Sequence, residues 1–400
     1  MSPLPDYLEA INACCNWPWS NMDSEQIDLT DAMGRTLVEP IVADRDLPPF
    51  NRAAMDGYAV RLEDLQNTSA LPLAGMIAAG DSSSPVIPPG YCTSIATGAP
   101  VPDQLDTVIP HEWTDRGDPV HIQRTPERGH AIHRQGSDAL RNQELVAAGC
   151  ILGAPEIGLA ATVGHSSLQV RRQPTVAILS SGNEVVSVDT TPEPHQIRNS
   201  NLPMVSSLMN AMGARTITAS WLADDLEATM EALSRSIHEA DLVVTIGGIS
   251  AGDRDMIRTA IDSVQGEVIL AGAAIQPGRP IRMAAMQKSN GTTPVVSLPG
   301  NPVSALATAC LFAWPIVNRL LGGDGSLPWT EGILAQPAQR HALRRRFRPV
   351  QRTTDGRLVV PHWQGSGDLA HAANTIGLVD LACGEQDLPV NTSVRWLPWP

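Results

Sequence analysis

The stretch DLVVTIGGISAGDRD, Asp241–Asp255, decides how this chain is read. Four apolar residues, Leu242, Val243, Val244 and Ile246, run into Gly247-Gly248, then Ser250, Gly252 and two aspartates, Asp253 and Asp255. A helical pattern begins at Met256. A buried strand that empties through glycines into a helix start is a ready-made anion site: glycine lets backbone approach closely, and unpaired N–H groups point at the ligand. Carboxylates cannot serve the anion directly, so Asp255 points to a metal ion accompanying it. The same pattern also reads as an ordinary strand–turn–helix connection with a capping aspartate.

Two further turns work outward from it. SLPGNPVSAL, Ser297–Leu306, follows a strand-like run and opens another helix, with Pro299 and Gly300 in the turn, Asn301 at the N-cap and Pro302 at the first helical position. AIQPGRPIRMA, Ala274–Ala284, is a third turn, carrying Gln276, Arg279 and Arg282. Three turns at the ends of successive strands are expected to line one edge of a parallel sheet, where ligands of open α/β domains sit.

From about 174 to 322, strand and helix signals alternate, which predicts βαβ units and a parallel sheet covered on both faces. Residues 46–140 instead carry Pro and Gly every few positions between short β-like runs, the pattern of a small β domain with long loops. The flanking segments, 1–45 and 141–173, read as mainly helical and as the two halves of a discontinuous linker domain. Residues 326–400 read as a small C-terminal β-barrel. The expected fold is therefore multidomain α/β plus β, with the α/β domain at 174–325.

Composition narrows the class. Apolar content of 42% with 18% charged residues is globular, and a net charge of −14 argues against nucleic acid and anionic membranes as partners. The N-terminus has no secretory pattern, and the longest apolar run, read as CILGAPEIGLAATV, falls short of a membrane span. Six cysteines without C-x-x-C or histidine pairing read as reduced thiols, and a cytoplasmic location is expected. Arg344, Arg345, Arg346 and Arg348 form the one dense basic run, readable either as a solvated strand edge or as a phosphate contact. GGISAG lacks the G-K-[ST] of a Walker A loop, and no G-x-S-x-G elbow is present.

The quoted turns resemble the molybdopterin molybdenumtransferases, the MoeA and gephyrin E-domain group. The resemblance extends through LPPFNRAAMDGYAV (Leu47–Val60), ATGAPVP (Ala96–Pro102), RQGSDA (Arg134–Ala139), SSGNEVV (Ser180–Val186) and QGSGDLAHAANTIGL (Gln364–Leu378), in family order over nearly the whole chain. It implies a parallel-sheet α/β molybdopterin-binding domain. It also implies an enzyme that takes adenylylated molybdopterin and molybdate, releases AMP with Mg²⁺ and leaves molybdenum on the dithiolene. The implied acids are Asp56, Asp138, Glu184, Asp224 and Asp255, with Glu184, Asp224 and Asp255 on the metal; Asp225 can stand for Asp224 by a one-residue shift. The implied substrate contacts are Thr97, Ser180, Ser181, Gly247, Gly248, Ser250, Gly252, Gln276, Arg279, Pro299, Gly300, Asn301, Pro302 and Ser366. A homodimer and a contact with molybdopterin adenylyltransferase are further implications.

Three departures from the family pattern bear on activity. Asn183 stands where many relatives carry aspartate, and Gln276 and Arg279 stand where many carry lysine. Lys288 is the only lysine among 28 Lys and Arg, so Arg279 follows a chain-wide bias whereas Gln276 does not. A molybdopterin-binding scaffold or carrier with weakened turnover is the alternative reading.

Overall fold

A computed structural model describes residues 3–81, 85–249, 256–264, 266–288 and 291–400. The chain forms two compact units, one of Met1–Glu25, Gly34–Thr36 and Val170–Pro400, the other of Gln26–Met33 and Leu37–Gln169.

The first unit is built on a six-stranded sheet. Its strands are β1 (Thr175–Ser181), β2 (Arg215–Leu222), β3 (Leu242–Ile246), β4 (Gly266–Ala271), β5 (Arg282–Lys288) and β6 (Gly291–Leu298), in the order β2-β1-β3-β6-β5-β4. β1 pairs in parallel with β2 and β3, and β3 with β6. β5 is antiparallel to both β6 and β4, so the sheet is mixed rather than purely parallel. The reason is local: β5 and β6 pair up to Lys288 with Gly291, a hairpin too short for the crossover that a parallel connection requires.

Period-2 alternation sends each strand's side chains to opposite faces. On β3, Leu242, Val244 and Ile246 enter one core, and Val243 enters another. The second core is closed by α2 (Leu226–Glu239), whose Thr229, Leu233, Ser236 and Ile237 lie on one face, and by α3 (Met256–Ser263). The first core is closed by α1 (Asn201–Ala211) and by the helical stretch Pro302–Leu320, whose first segment, Pro302–Thr308, is α4. The N-terminal helix Tyr7–Cys15, begun by a capping box between Asp6 and Glu9, buries Tyr7, Ala10 and Cys14 in that same core.

Pro302–Leu320, at 19 residues, is long and apolar enough to cross a membrane, and 83% of its 18-residue apolar window is buried in the protein. Among the described residues it is the one helix that passes this test, a longer apolar segment than 150–163. Between its α-helical halves, Ala309–Ala313 widens to a π-helix just before Pro315. Proline lacks an N–H and its ring crowds the carbonyl four residues earlier, so the ladder must loosen there.

The last third of the chain adds a sheet of Thr330–Ile333, Arg345–Arg352, Gly377–Leu381 and Ser393–Pro398. A single parallel bridge joins Leu334 to Leu358, in a short strand paired with Arg345–Arg352. What matters for the site is its edge. Ile275–Gln276 from the Pro-Gly turn pairs in parallel with Arg345 and Arg346, so the α/β domain contributes the edge strand of the C-terminal sheet.

The second unit carries a four-stranded sheet of Leu73–Ile77, Cys92–Ile95, Gly57–Val60 and Thr107–Pro110. Its flanks hold less helix than the sequence suggests: besides the helix Ala154–Thr162 they contribute the strand pair Ile41–Val42 with Glu144–Val146.

Candidate functional site

The C-terminal ends of β1, β3 and β6 open into a cavity of about 750 Å³. Ser180 and Ser181 end β1, Gly247 and Gly248 follow β3, and Pro299, Gly300, Asn301 and Pro302 follow β6; all line it, together with Glu184 and Asp224. The glycines are required by geometry. Gly247 and Gly248 have φ of +85° and +61°, and a Cβ on either would sit 3.0 Å from an oxygen of Ser181. Gly182 has φ +136°, and a Cβ there would lie 2.8 Å from a Glu184 carboxylate oxygen, so this glycine makes the cradle that the carboxylate fills.

The choice between neighbouring aspartates is decided by hydrogen bonds. Asp225 is the N-cap of α2, accepting the Ala228 N–H at 2.7 Å. Asp224 is left facing the cavity, where it accepts the Asn183 N–H at 3.3 Å and donates its own N–H to Asn183 Oδ1 at 3.1 Å. Asn183 thus holds the Asp224 loop through an oxygen that an aspartate would also possess.

The helix start after β6 differs from expectation in its donors. Asn301 occupies the N-cap position of α4, yet its side chain makes no cap bond and donates instead to Ser366 Oγ at 2.8 Å. The Val303 N–H donates to the Ser366 carbonyl at 2.9 Å. Pro302 has no N–H, so Ser366 takes up donors that a free helix start would offer a ligand. Sequence reasoning missed five polar residues that line this cavity: His195, Arg198, Asn199, Ser200 and Asn201. Asn199 donates to Ser180 Oγ at 3.3 Å, and Asn201 to the Gly300 carbonyl at 2.7 Å. They lie between the loop cluster at 187–194 and the start of α1 at Asn201, where no periodic pattern marks a site.

A second cavity, about 720 Å³, shares Pro280, Pro299 and Asn301 with the first. Gln276, Arg279 and Ser366 line it, with Arg344, Arg346 and Arg348 from the C-terminal segment and no carboxylate among the described lining residues. Strand alternation explains the selection within the strand: Arg346 and Arg348 share one face, and Arg345 turns away to pair with the buried Asp380, while Arg344 lies in the bend just before it. Gln276 Oε1 accepts from Arg346 Nε at 3.0 Å. Burial, with the adjacent Arg346 charge adding, pulls the Arg348 guanidinium down to about 10. Arg348 lies over the Trp363 ring at 4.0 Å, and its buried Nε has no hydrogen-bond partner among the described residues. Arg282 is not part of either lining; it pairs with Asp262.

The remaining expected residues lie elsewhere. Asp56 and Thr97 are in the second unit, where Asp56 Oδ1 accepts the Thr97 N–H at 2.6 Å and its hydroxyl at 2.8 Å. Those two donors hold the Asp56 carboxyl below the usual carboxylate range. Asp138, also in that unit, accepts from Ser137 Oγ at 3.1 Å. Ser250, Gly252 and Asp255 lie outside the described residues.

Residues 3–164 match the family described as MoeA N-terminal region (domain I and II), and residues 177–319 match the probable molybdopterin binding domain. A molybdopterin molybdenumtransferase 2 from Mycobacterium tuberculosis is 33% identical over 89% of this chain and 90% of its own. A molybdopterin molybdenumtransferase from Nostoc is 32% identical over 80% and 76%. The molybdopterin biosynthesis MoeA protein of Pyrococcus horikoshii superposes with a TM-score of 0.85 at 25% identity, covering 99% of this chain and all of that one.

Proposed function

We propose, since this chain belongs to the molybdopterin molybdenumtransferase family and is a transferase of molybdenum cofactor biosynthesis, that it inserts molybdenum into adenylylated molybdopterin with release of AMP. The observation that carries the reading is the adjacency of two chemically distinct cavities, one with Glu184 and Asp224, the other with four arginines and no acid among the described residues.

The arginine cavity suits a compact dianion such as molybdate, because each guanidinium offers fixed donors and Arg348 gains a partner for its buried Nε. The acid cavity suits the phosphoanhydride. Glu184 and Asp224 fit Mg²⁺, an ion that takes one or two carboxylates alongside substrate phosphates; when bound, it offsets charge developing on the leaving phosphate. Asp255 is proposed as a third acid there on the family motif. Ser180, Ser181 and the Gly247-Gly248 turn orient the anhydride, and Pro299 and Asn301 stand between the two cavities. A substrate reaching across that wall brings its dithiolene to the molybdate while its anhydride stays with the acids.

A homodimer is part of the proposal, with Asp56, Thr97 and Asp138 completing the partner's site, because these residues belong to a different compact unit from the acid cavity. A cytoplasmic location and a docking contact with the adenylyltransferase that supplies the substrate belong to the same reading. A full-activity monomer in light scattering defeats the shared site. The function is tested by mixing purified protein with adenylylated molybdopterin, Mg²⁺ and molybdate. Molybdate-dependent AMP release is expected. ATP consumption with free molybdopterin identifies an adenylyltransferase instead, and binding without turnover identifies a carrier.

A further inference from the structure

Asp368 stands at the N-cap of the short helix Leu369–Ala372, where an aspartate ordinarily caps the helix, yet its side chain makes no cap bond. It turns back instead. Oδ2 accepts the Gln364 N–H at 2.8 Å, and Oδ1 accepts from His371 Nδ1, a turn further on, at 2.7 Å. The Asp368 N–H donates to the Gly365 carbonyl at 3.1 Å, so the loop Gln364–Asp368 closes on itself. The Gln364 N–H, with His371 second, holds the Asp368 carboxyl below the ordinary carboxylate range. Both oxygens serve the loop and neither serves the helix. The Gln364 N–H belongs to the planar peptide that joins Trp363 to Gln364, so fixing it fixes the direction in which the indole leaves the chain.

That indole lies under Arg348, with the guanidinium carbon 4.0 Å from the ring centre. Arg348, Trp363, Asp368, His371 and Ala372 surround one gap of about 10 Å³, room for no more than a water, so carboxylate, imidazole, indole and guanidinium pack as one block. Arg348 and Trp363 also line the arginine cavity, whereas Asp368 and His371 do not. The pair therefore reaches the cavity only through its neighbours. We infer that Asp368, with His371, is a positioning residue for the arginine cavity: it sets the Trp363 indole beneath Arg348 and so holds that guanidinium ready for an oxyanion. The inference rests on the proposed function in taking molybdate as that oxyanion. A guanidinium already held against a ring face loses less freedom when the anion arrives than one that must first be ordered.

The test is calorimetric titration of sodium molybdate into wild type, Asp368→Ala, Asp368→Asn, Trp363→Ala and the Trp363→Ala/Asp368→Ala double variant, well below their melting temperatures, with AMP release measured alongside. Asp368→Ala is expected to weaken molybdate binding about fivefold or more and to raise the half-maximal molybdate concentration equally, while the saturating rate stays within about twofold. Asn keeps the shape, an acceptor for the Gln364 N–H and a partner for the imidazole, so Asp368→Asn stays within about twofold of wild type. In the Trp363→Ala background Asp368→Ala has no further effect, because the two act through one stack. A lowered melting temperature with unchanged molybdate binding in Asp368→Ala makes the carboxylate a loop staple and overturns the inference. So does an undiminished loss in the Trp363→Ala background, which routes the effect through Ser366 instead, and so does Asp368→Asn failing as Asp368→Ala does. No molybdate uptake by wild type in either assay overturns it as well. The expected pattern in calorimetry without AMP release sinks the insertion reading and leaves the positioning role. Molybdate-dependent AMP release that Asp368→Ala leaves untouched does the reverse.

Discussion

Replacing Gln276 by lysine separates what the arginine cavity does for the fold from what it does for a ligand. In the native chain Gln276 is a neutral acceptor beside Arg346, with Arg279, Arg344 and Arg348 on the same cavity. The variant loses the 3.0 Å bond to a charged donor, about 1.5 kcal/mol. It also sets an ammonium against the Arg346 guanidinium, costing roughly 1 kcal/mol in a largely solvated gap and more where water is excluded. The ligand-free protein should therefore lose about 2–3 kcal/mol locally, and its melting temperature should fall. A dianion reverses the balance. The repulsion exists before binding, whereas attraction between the new ammonium and the bound oxyanion adds about 1–2 kcal/mol, so the molybdate concentration for half-maximal AMP release should fall five- to thirtyfold. Thermal melts across a molybdate series read both effects: the variant starts lower and gains more per decade of ligand. Unchanged melting and unchanged molybdate dependence would show that neither the Arg346 contact nor the cavity's charge acts as described.

Asp224→Asn should lower the AMP-release rate by two to three decades with little change in stability, whereas Asp225→Ala should cost about 1 kcal/mol of stability and little rate; steady-state kinetics and melting of the pair check the division. Asp241 is half-buried, which opposes its ionisation. Two bonds from Arg172 at 2.8 and 3.1 Å, with the Thr175 N–H and hydroxyl, outweigh that and hold its carboxyl below the ordinary range. A depressed folded value contributes stability above the unfolded value of about 3.9 and loses it as pH falls through the folded one. Asp241→Asn should therefore melt lower than wild type by a constant gap from pH 5 to 8, worth about 2 kcal/mol, that narrows below about pH 4. Thr97→Val removes one of two donors to Asp56, so the carboxyl should titrate at higher pH in NMR; an unmoved titration would mean the backbone N–H alone sets it.

Much of this was legible from residue order, because strand–turn–helix junctions announce themselves locally. Gly247-Gly248, Gly300-Asn301-Pro302 and Ser180-Ser181 converge on one cavity because β1, β3 and β6 are parallel neighbours that end at the same sheet edge. The antiparallel β5 brings the Pro-Gly turn to that same edge from its own N-terminal end, since Arg282 pairs with Ser297. Pairing between distant segments was harder to see. Nothing near Gln276 reveals that its strand partner lies at Arg346, and so the cavity that lacks a charge at 276 has three arginines supplied from the C-terminal segment, Arg346 and Arg348 on the strand and Arg344 just before it. The signal existed as arginines at every second position, 344, 346 and 348, of which Arg346 and Arg348 form a strand face, but which face meets the turn depends on tertiary packing. Asp224 and Asp225 were likewise inseparable by sequence, because only the cap bond to Ala228 tells them apart.

The division of labour between the two adjoining cavities is tested most directly by the molybdate dependence of AMP release in Arg346→Gln and Glu184→Gln. The account predicts that Arg346→Gln raises the molybdate concentration for half-maximal release at least fivefold while the saturating rate stays within twofold. It predicts that Glu184→Gln lowers the saturating rate by two decades or more and leaves the half-maximal molybdate concentration in place. Both variants moving the same parameter, or Glu184→Gln altering only the molybdate requirement, would contradict it.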